Sequence, residues 1–194
     1  TRPRAVTAPE LDLAALRRWP DVEDPTLLAV DATDRLLLDT AAEAIAATPD
    51  AVLVVDDHYG ALTLGAIAAG ARGVRVHQDS IVGELALAAN AGPLASRYRH
   101  VGLDGVTGAR VVLWQLPRSL DRLEDVARRL ADELAPEAVV YAGGRIKHMT
   151  PRMNAVLAEQ FGRVDVSHAR QKSRLLIARE PRAGALPAPD VREE

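Results

Sequence analysis

The chain has 194 residues, roughly half of them apolar, and its 24 basic and 27 acidic groups leave a net charge of −3. That length suits one domain with a full hydrophobic core better than two. The absence of cysteine excludes disulfides, thiolate zinc sites and a cysteine nucleophile. No apolar run approaches the ~20 residues that span a bilayer, so a cytoplasmic location and no membrane partner are expected.

Lys147 and Lys172 are the only lysines, which reads first as genome composition. The small net charge hides an asymmetry: residues 1–140 hold 14 basic and 21 acidic groups, whereas residues 141–180 hold 8 and 3. Such polarity steers an anionic partner to one end of a molecule.

Residues 1–30, rich in proline and charge, read as an N-terminal extension. The stretch Asp31 to Thr48 then places Leu36, Leu37, Ala41, Ala44 and Ile45 near helical spacing. At Ala51 the period changes. Ala51 to Val55 predicts a short buried strand, Gly60 a turn, and Ala61 to Ala69 an apolar helix. The unit recurs as strand Gly73 to His77 and helix Ser80 to Asn90, with Ser80 as cap. Tyr98 to Leu103 is a weaker third strand.

Arg110 to Leu116 contains Val111, Val112, Leu113 and Trp114 in succession, as a strand covered on both faces requires. Its helix is capped by Ser119 and carries the stripe Leu120, Leu123, Val126, Leu130 and Leu134, with Arg122 on the solvent side. A fifth strand, Ala138 to Ala142, runs into a Gly143-Gly144 loop, and a fifth helix starts at Thr150-Pro151 and ends at Gly162. Arg163 to His168 and Arg174 to Arg179 suit an antiparallel hairpin around a basic loop. The strand–helix alternation over residues 31–180 predicts an α/β domain with a mostly parallel, doubly wound sheet. Residues 181–194 read as a linker or tail.

In such sheets ligands sit at the carboxyl ends of the strands. The first loop there, Asp56-Asp57-His58-Tyr59-Gly60, is poor in glycine, and a lone Gly60 fits a tight turn better than a phosphate cradle. Asp79, after the second strand, stands where a carboxylate would receive ribose hydroxyls, or would help Ser80 cap the next helix. His58 and His77 lack the carboxylates of a metal set, so no metal is expected. Gln115 supplies one acceptor for an exocyclic amine, but no aromatic follows it in Gln115-Leu116-Pro117-Arg118. Arg145, Lys147, Arg170, Lys172 and Arg174, on two basic loops, are the candidate phosphate contacts.

Val52 to Leu64, His77-Gln78-Asp79-Ser80 with Glu84-Leu85-Ala86 and Ala89-Asn90, Val111 to Leu123, Gly143 to Thr150 and Arg170 to Leu175 together carry a resemblance. With Arg18-Trp19-Pro20 ahead of them, they resemble the N-terminal domain of the bacterial ribosomal-RNA guanine-N2 methyltransferases. That group joins the type G enzymes of the large ribosomal RNA with the type C enzymes of the small one. The resemblance covers Leu13 to about Glu180.

It implies a Rossmann-like class I methyltransferase fold in a tandem protein, whose C-terminal copy binds S-adenosylmethionine and carries an Asn-Pro-Pro-aromatic motif. The N-terminal copy is degenerate in that family. Gln115 and Pro117 are then vestiges of the catalytic motif, and Asp57, Gly60 and Asp79 vestiges of the cofactor site. The expected role is recognition of ribosomal RNA and support of a C-terminal catalytic domain, with no cofactor bound here. The tail after Pro181 falls where a linker to that domain would run. Two alternatives stand beside this reading: an active S-adenosylmethionine-dependent methyltransferase domain, and a structural or dimerisation module.

Overall fold

The computed structural model describes residues 10–184. Five helices, α1 (Ala32–Ala47), α2 (Ala61–Ala68), α3 (Ile81–Ala91), α4 (Leu120–Glu133) and α5 (Pro151–Gln160), flank one sheet. Its strands are β1 (Val52–Val55), β2 (Val74–His77), β3 (Tyr98–His100), β4 (Val111–Gln115), β5 (Val139–Arg145), β6 (Phe161–Val166) and β7 (Ser173–Pro181). The spatial order is β3-β2-β1-β4-β5-β7-β6. The first five strands are parallel, and β7 runs antiparallel to both β5 and β6. This is the predicted doubly wound sheet with its C-terminal hairpin.

Strand alternation divides the core in two. Leu53, Val55, Val112, Trp114, Val140 and Ala142 face α4 and α5, where they meet Leu123, Val126, Leu130, Met153 and Leu157. Val52, Val54, Val111, Leu113 and Tyr141 face the other way, onto Leu37, Ala41 and Ile45 of α1 and Leu62 and Leu87 of α2 and α3. Both faces of β1 and β4 are therefore covered, which is why their sequences are apolar without alternation.

Helix starts follow local chemistry. Ser80 and Ser119 accept from Gly83 N and Arg122 N at 3.2 and 3.3 Å. At α1 a capping box forms, Asp31 Oδ1 accepting from Asp34 N at 2.9 Å and Asp34 Oδ2 from Asp31 N at 3.0 Å.

Several boundaries differ from the sequence reading. Gly143 and Gly144, expected in a loop, lie inside β5 and pair with Leu175 and Arg174 of β7. Gly143 has a packing reason: a Cβ there would lie 2.8 Å from Leu175 Cδ2 and 2.9 Å from Thr33 Cγ2 of α1. β6 starts at Phe161 rather than Arg163, directly at the C-cap of α5. β3 stops at His100, short of the expected Leu103.

The segment from Glu10 to Val30 is tied onto the domain. Asn90 accepts from Arg17 N and donates to Arg17 O, both at 2.9 Å, and also donates to Tyr59 O at 2.8 Å. Tyr59 donates its hydroxyl to Asp21 at 2.6 Å. Residues 1–9 of the expected extension and most of the expected linker, residues 185–194, lie outside the described residues. No helix among the described residues is long and apolar enough to cross a membrane.

Candidate functional site

The loops that follow β1, β2, β4 and β5 converge at one end of the sheet, as the topology requires. After β1 the chain turns through Asp56, a non-glycine residue at φ 55°, and reaches α2 through Gly60 at φ 99°. Gly60 also lies close to α3, since a Cβ there would come within 3.0 Å of Leu87 Cδ1. Asp57 is buried. Its carboxylate accepts from Leu62 N at 3.3 Å, Thr63 N at 2.9 Å and Thr63 Oγ1 at 2.7 Å, so a side chain of the protein itself occupies two of the backbone donors at the N-terminus of α2.

Asp79 is exposed, and its carboxylate is held by Arg122 Nη1. The same guanidinium donates through Nη2 to Asp56 Oδ1 at 2.5 Å, while Trp114 Nε1 donates to Asp56 Oδ2 at 3.3 Å. Arg122, placed on the solvent side of α4 by the sequence reading, thus reaches across the strand ends and joins the carboxylates that follow β1 and β2. Opposing pulls act on its proton: burial lowers its affinity, and the two carboxylates outweigh that and raise it. His77 is buried and turns Nδ1 to Val101 O at 3.0 Å, whereas His58 is exposed. No group of three or more His, Asp or Glu placed to hold a metal occurs among the described residues.

Gln115 ends β4, is 4% exposed, and donates Nε2 to Asp34 Oδ1 at 2.6 Å. Burial first, and then the neighbouring Asp31 charge, push the Asp34 carboxyl well above the usual carboxylate range. Beyond Gln115 opens a cavity of about 350 Å³ lined by Asp31, Thr33, Leu116, Arg118, Arg145 and His148, with Pro117, Met149 and Met153 among its apolar walls. Arg118 Nη2 lies 3.1 Å from His148 Nε2. Burial and the positive charges of Arg118, Lys147 and Arg145 hold the His148 pKa below its usual value.

The two basic segments are neighbours. Arg145 pairs with Ser173, Gly144 with Arg174, and Ile146 N donates to Lys172 O at 2.9 Å. Gln171 and Lys172 form the tip between Arg170 and Ser173, both with positive φ, 48° and 62°. Arg145, Lys147 and Lys172 are exposed, and no acidic group lies within ion-pair distance of them among the described residues. Arg170, by contrast, is paired with Asp39 at 2.8 Å, and Arg174 is half-buried.

Sequence reasoning named Asp57, Gly60, Asp79, Gln115 and Pro117, and the structure gathers them at one end of the sheet. It gave no site role to Arg122, Asp34, His148 or Arg118. Asp34 left a signal of its own, because Asp31-x-x-Asp34 has capping-box spacing.

The family model described as the RLMG N-terminal domain matches residues 5–182. The ribosomal RNA large subunit methyltransferase G of Pseudomonas syringae pv. syringae is 36% identical over 174 residues, 87% of this chain and 45% of that protein. The protein of the same name from Pseudomonas entomophila is 35% identical over 181 residues, covering 88% and 46%. The chain thus spans about half the length of the curated relatives it matches.

Among solved structures, a ribosomal-RNA guanine-N2 methyltransferase from T. thermophilus, in complex with AdoMet and guanosine, superposes with a TM-score of 0.64. It is 21% identical and covers 78% of this chain and 43% of that one. A ribosomal protein L11 methylase from Lactobacillus delbrueckii subsp. bulgaricus gives a TM-score of 0.64 at 22% identity, covering 81% and 83%. Those likenesses establish a Rossmann-like methyltransferase fold. By sequence and by fold, this chain belongs to the RLMG N-terminal domain family.

Proposed function

We propose that this chain is the non-catalytic N-terminal domain of an S-adenosylmethionine-dependent ribosomal-RNA guanine-N2 methyltransferase. On this reading residues 31–180 form the methyltransferase-like domain, residues 1–30 an extension tied onto it, and residues 181–194 a linker. The domain recognises ribosomal RNA in the cytoplasm and supports a C-terminal catalytic domain that holds the cofactor.

The observation that carries this reading is Arg122 bridging Asp56 and Asp79 across the strand ends. The residues present do not fit S-adenosylmethionine. The carboxylate that would receive ribose hydroxyls is paired with an internal arginine, and two of the amides at the start of α2, those of Leu62 and Thr63, are taken by Asp57. Gln115, at the place of the catalytic motif, has its amide nitrogen committed to Asp34.

RNA recognition is supported by the basic edge. Arg145, Lys147 and Lys172 are exposed cations with no acidic neighbour among the described residues, which can neutralise phosphates at no cost in broken ion pairs. Arg170 and Arg174 belong to the same surface as weaker contributors.

Calorimetric titration of the chain with S-adenosylmethionine tests the non-catalytic reading. No saturable heat and an unchanged melting temperature are expected at high ligand concentration. Saturable binding that disappears in Asp79→Ala would overturn it and restore the enzyme reading.

A further inference from the structure

At the edge of the sheet remote from the hairpin, two arginines stand opposite each other. β2 and β3 place Arg75 and Arg99 in register, so both side chains leave the same face of the sheet. Like charges directly opposite on neighbouring strands are destabilising. Burial first, and then the charge of Arg99, lower the proton affinity of Arg75. Arg75 is held in place by the loop after β3, its Nη1 donating to Gly105 O at 3.0 Å and to Thr107 O at 2.8 Å. Arg99 is exposed, and so is Arg97 two residues before it. None of the three has an acidic group within ion-pair distance among the described residues.

The same sheet holds a second arginine pair in register, and there the charge is balanced. Arg163 of β6 lies opposite Arg179 of β7, and Asp165 pairs with both, at 2.7 and 3.2 Å. The fold thus shows what two facing guanidiniums take when the chain supplies an anion. At β2 and β3 the chain supplies the guanidiniums without the carboxylate.

We infer that Arg75 and Arg99 form a phosphate clamp, a site for one phosphodiester of an RNA strand, separate from the basic edge of β5 and β7. Arg75 has Nε and Nη2 left after its two carbonyl bonds, and Arg99 brings a whole guanidinium. The two non-bridging oxygens of a phosphodiester accept from both arginines at once, which turns their mutual repulsion into two charge-assisted contacts. Planar guanidinium forks suit that geometry better than lysine would. Because Arg75 is fixed by the loop, little of its side-chain freedom is lost on binding. The phosphate comes from bound RNA, so this inference rests on the RNA-recognition reading.

Arg99→Glu tests it, because a carboxylate opposite Arg75 does for this pair what Asp165 does for the other. The variant should melt about 2 °C higher than the native chain, so that lost binding cannot be put down to lost folding. Its affinity for an oligouridine should fall about tenfold, and the slope of log affinity against log salt should flatten by about 0.7. Arg99→Gln, which only removes the charge, should show a smaller loss of the same sign. Arg72→Gln, at an exposed arginine already matched by Asp50, is the control and should leave affinity unchanged. Inorganic phosphate, against chloride at equal ionic strength, should raise the melting temperature of the native chain by about 2 °C more than that of Arg99→Glu. Equal losses in Arg99→Gln and Arg72→Gln would overturn the clamp. Oligoglutamate bound as tightly as oligouridine, and weakened equally by Arg99→Glu, would overturn the phosphate in favour of an acidic peptide.

The triple variant Arg145→Ala/Lys147→Ala/Lys172→Ala, titrated alongside, separates the two readings. RNA affinity lowered in that variant and unchanged in Arg99→Glu would refute the clamp and leave RNA recognition standing. A phosphate-dependent shift that Arg99→Glu abolishes, in a chain that binds no RNA, would do the reverse and assign the clamp to free phosphate.

Discussion

Arg122 Nη2 lies 2.5 Å from Asp56 Oδ1, and the guanidinium continues to Asp79, so one arginine of α4 ties together the chain ends of β1 and β2. Asp56 would otherwise be a left-handed residue with a mostly buried carboxylate, its side chain 17% exposed. Arg122→Ala should lower stability by about 1–2 kcal/mol, because a charge-assisted pair is lost and two carboxylates are left facing one another. A double-mutant cycle with Asp56→Asn, read by urea unfolding, should return a coupling of about 1 kcal/mol. Additive effects would mean that the bridge carries no stability.

Asp57 and Asp79, paired as cofactor candidates, should behave differently. Asp57 holds two amides and a hydroxyl in the interior, so Asp57→Ala should cost about 2 kcal/mol or more. Asp79 is two-thirds exposed, and Asp79→Asn should cost less than about 1 kcal/mol. Thermal unfolding of the two variants side by side settles the order.

The adjacent glycines of β5 give a sharper contrast. At Gly143 an added methyl meets Leu175, Thr33 and Leu37 within 3.1 Å, so Gly143→Ala should destabilise by about 1–3 kcal/mol. At Gly144 the nearest atom, Met149 Cγ, is 3.5 Å away, and Gly144→Ala should change stability by less than about 0.5 kcal/mol. Equal losses at both positions would contradict the packing account.

Asp34 predicts a pH dependence. Burial raises its folded-state pKa above the ordinary 3.8, so the folded chain binds the proton more tightly than the unfolded chain does. The stabilisation linked to that proton is complete below the unfolded value and is lost as pH rises through the folded one. Asp34→Asn cannot ionise and lacks this loss, so its stability relative to the native chain should improve as pH is raised above the ordinary carboxylate range in urea unfolding. A constant difference across that rise would show that Asp34 does not titrate with folding.

Much of the fold was legible because its signals are local. Val52–Val55 and Val111–Trp114 are continuous apolar runs since both faces are covered, and Ser80 and Ser119 cap the helices that their positions announced. Gly143 and Gly144 misled because glycine reads as a breaker, whereas Gly143 sits in a strand that needs room for α1.

The site was less legible for a different reason. Whether a cation is available depends on partners far away in sequence, and nothing near Arg170 announces Asp39, 131 residues before it. Arg122 was assigned to solvent by its helix face, but a long side chain in the first turn of α4 can reach across neighbouring strand ends.

The measurement that bears most directly on the proposed role is RNA affinity as a function of salt for the native chain and for Arg145→Ala/Lys147→Ala/Lys172→Ala. Each phosphate contact on a single strand contributes about 0.7 to the slope of log affinity against log salt, so removing three should flatten it by about 2. Arg170→Ala, whose charge is already matched by Asp39, should flatten it far less. An unchanged slope and affinity in the triple variant would contradict RNA recognition through this edge.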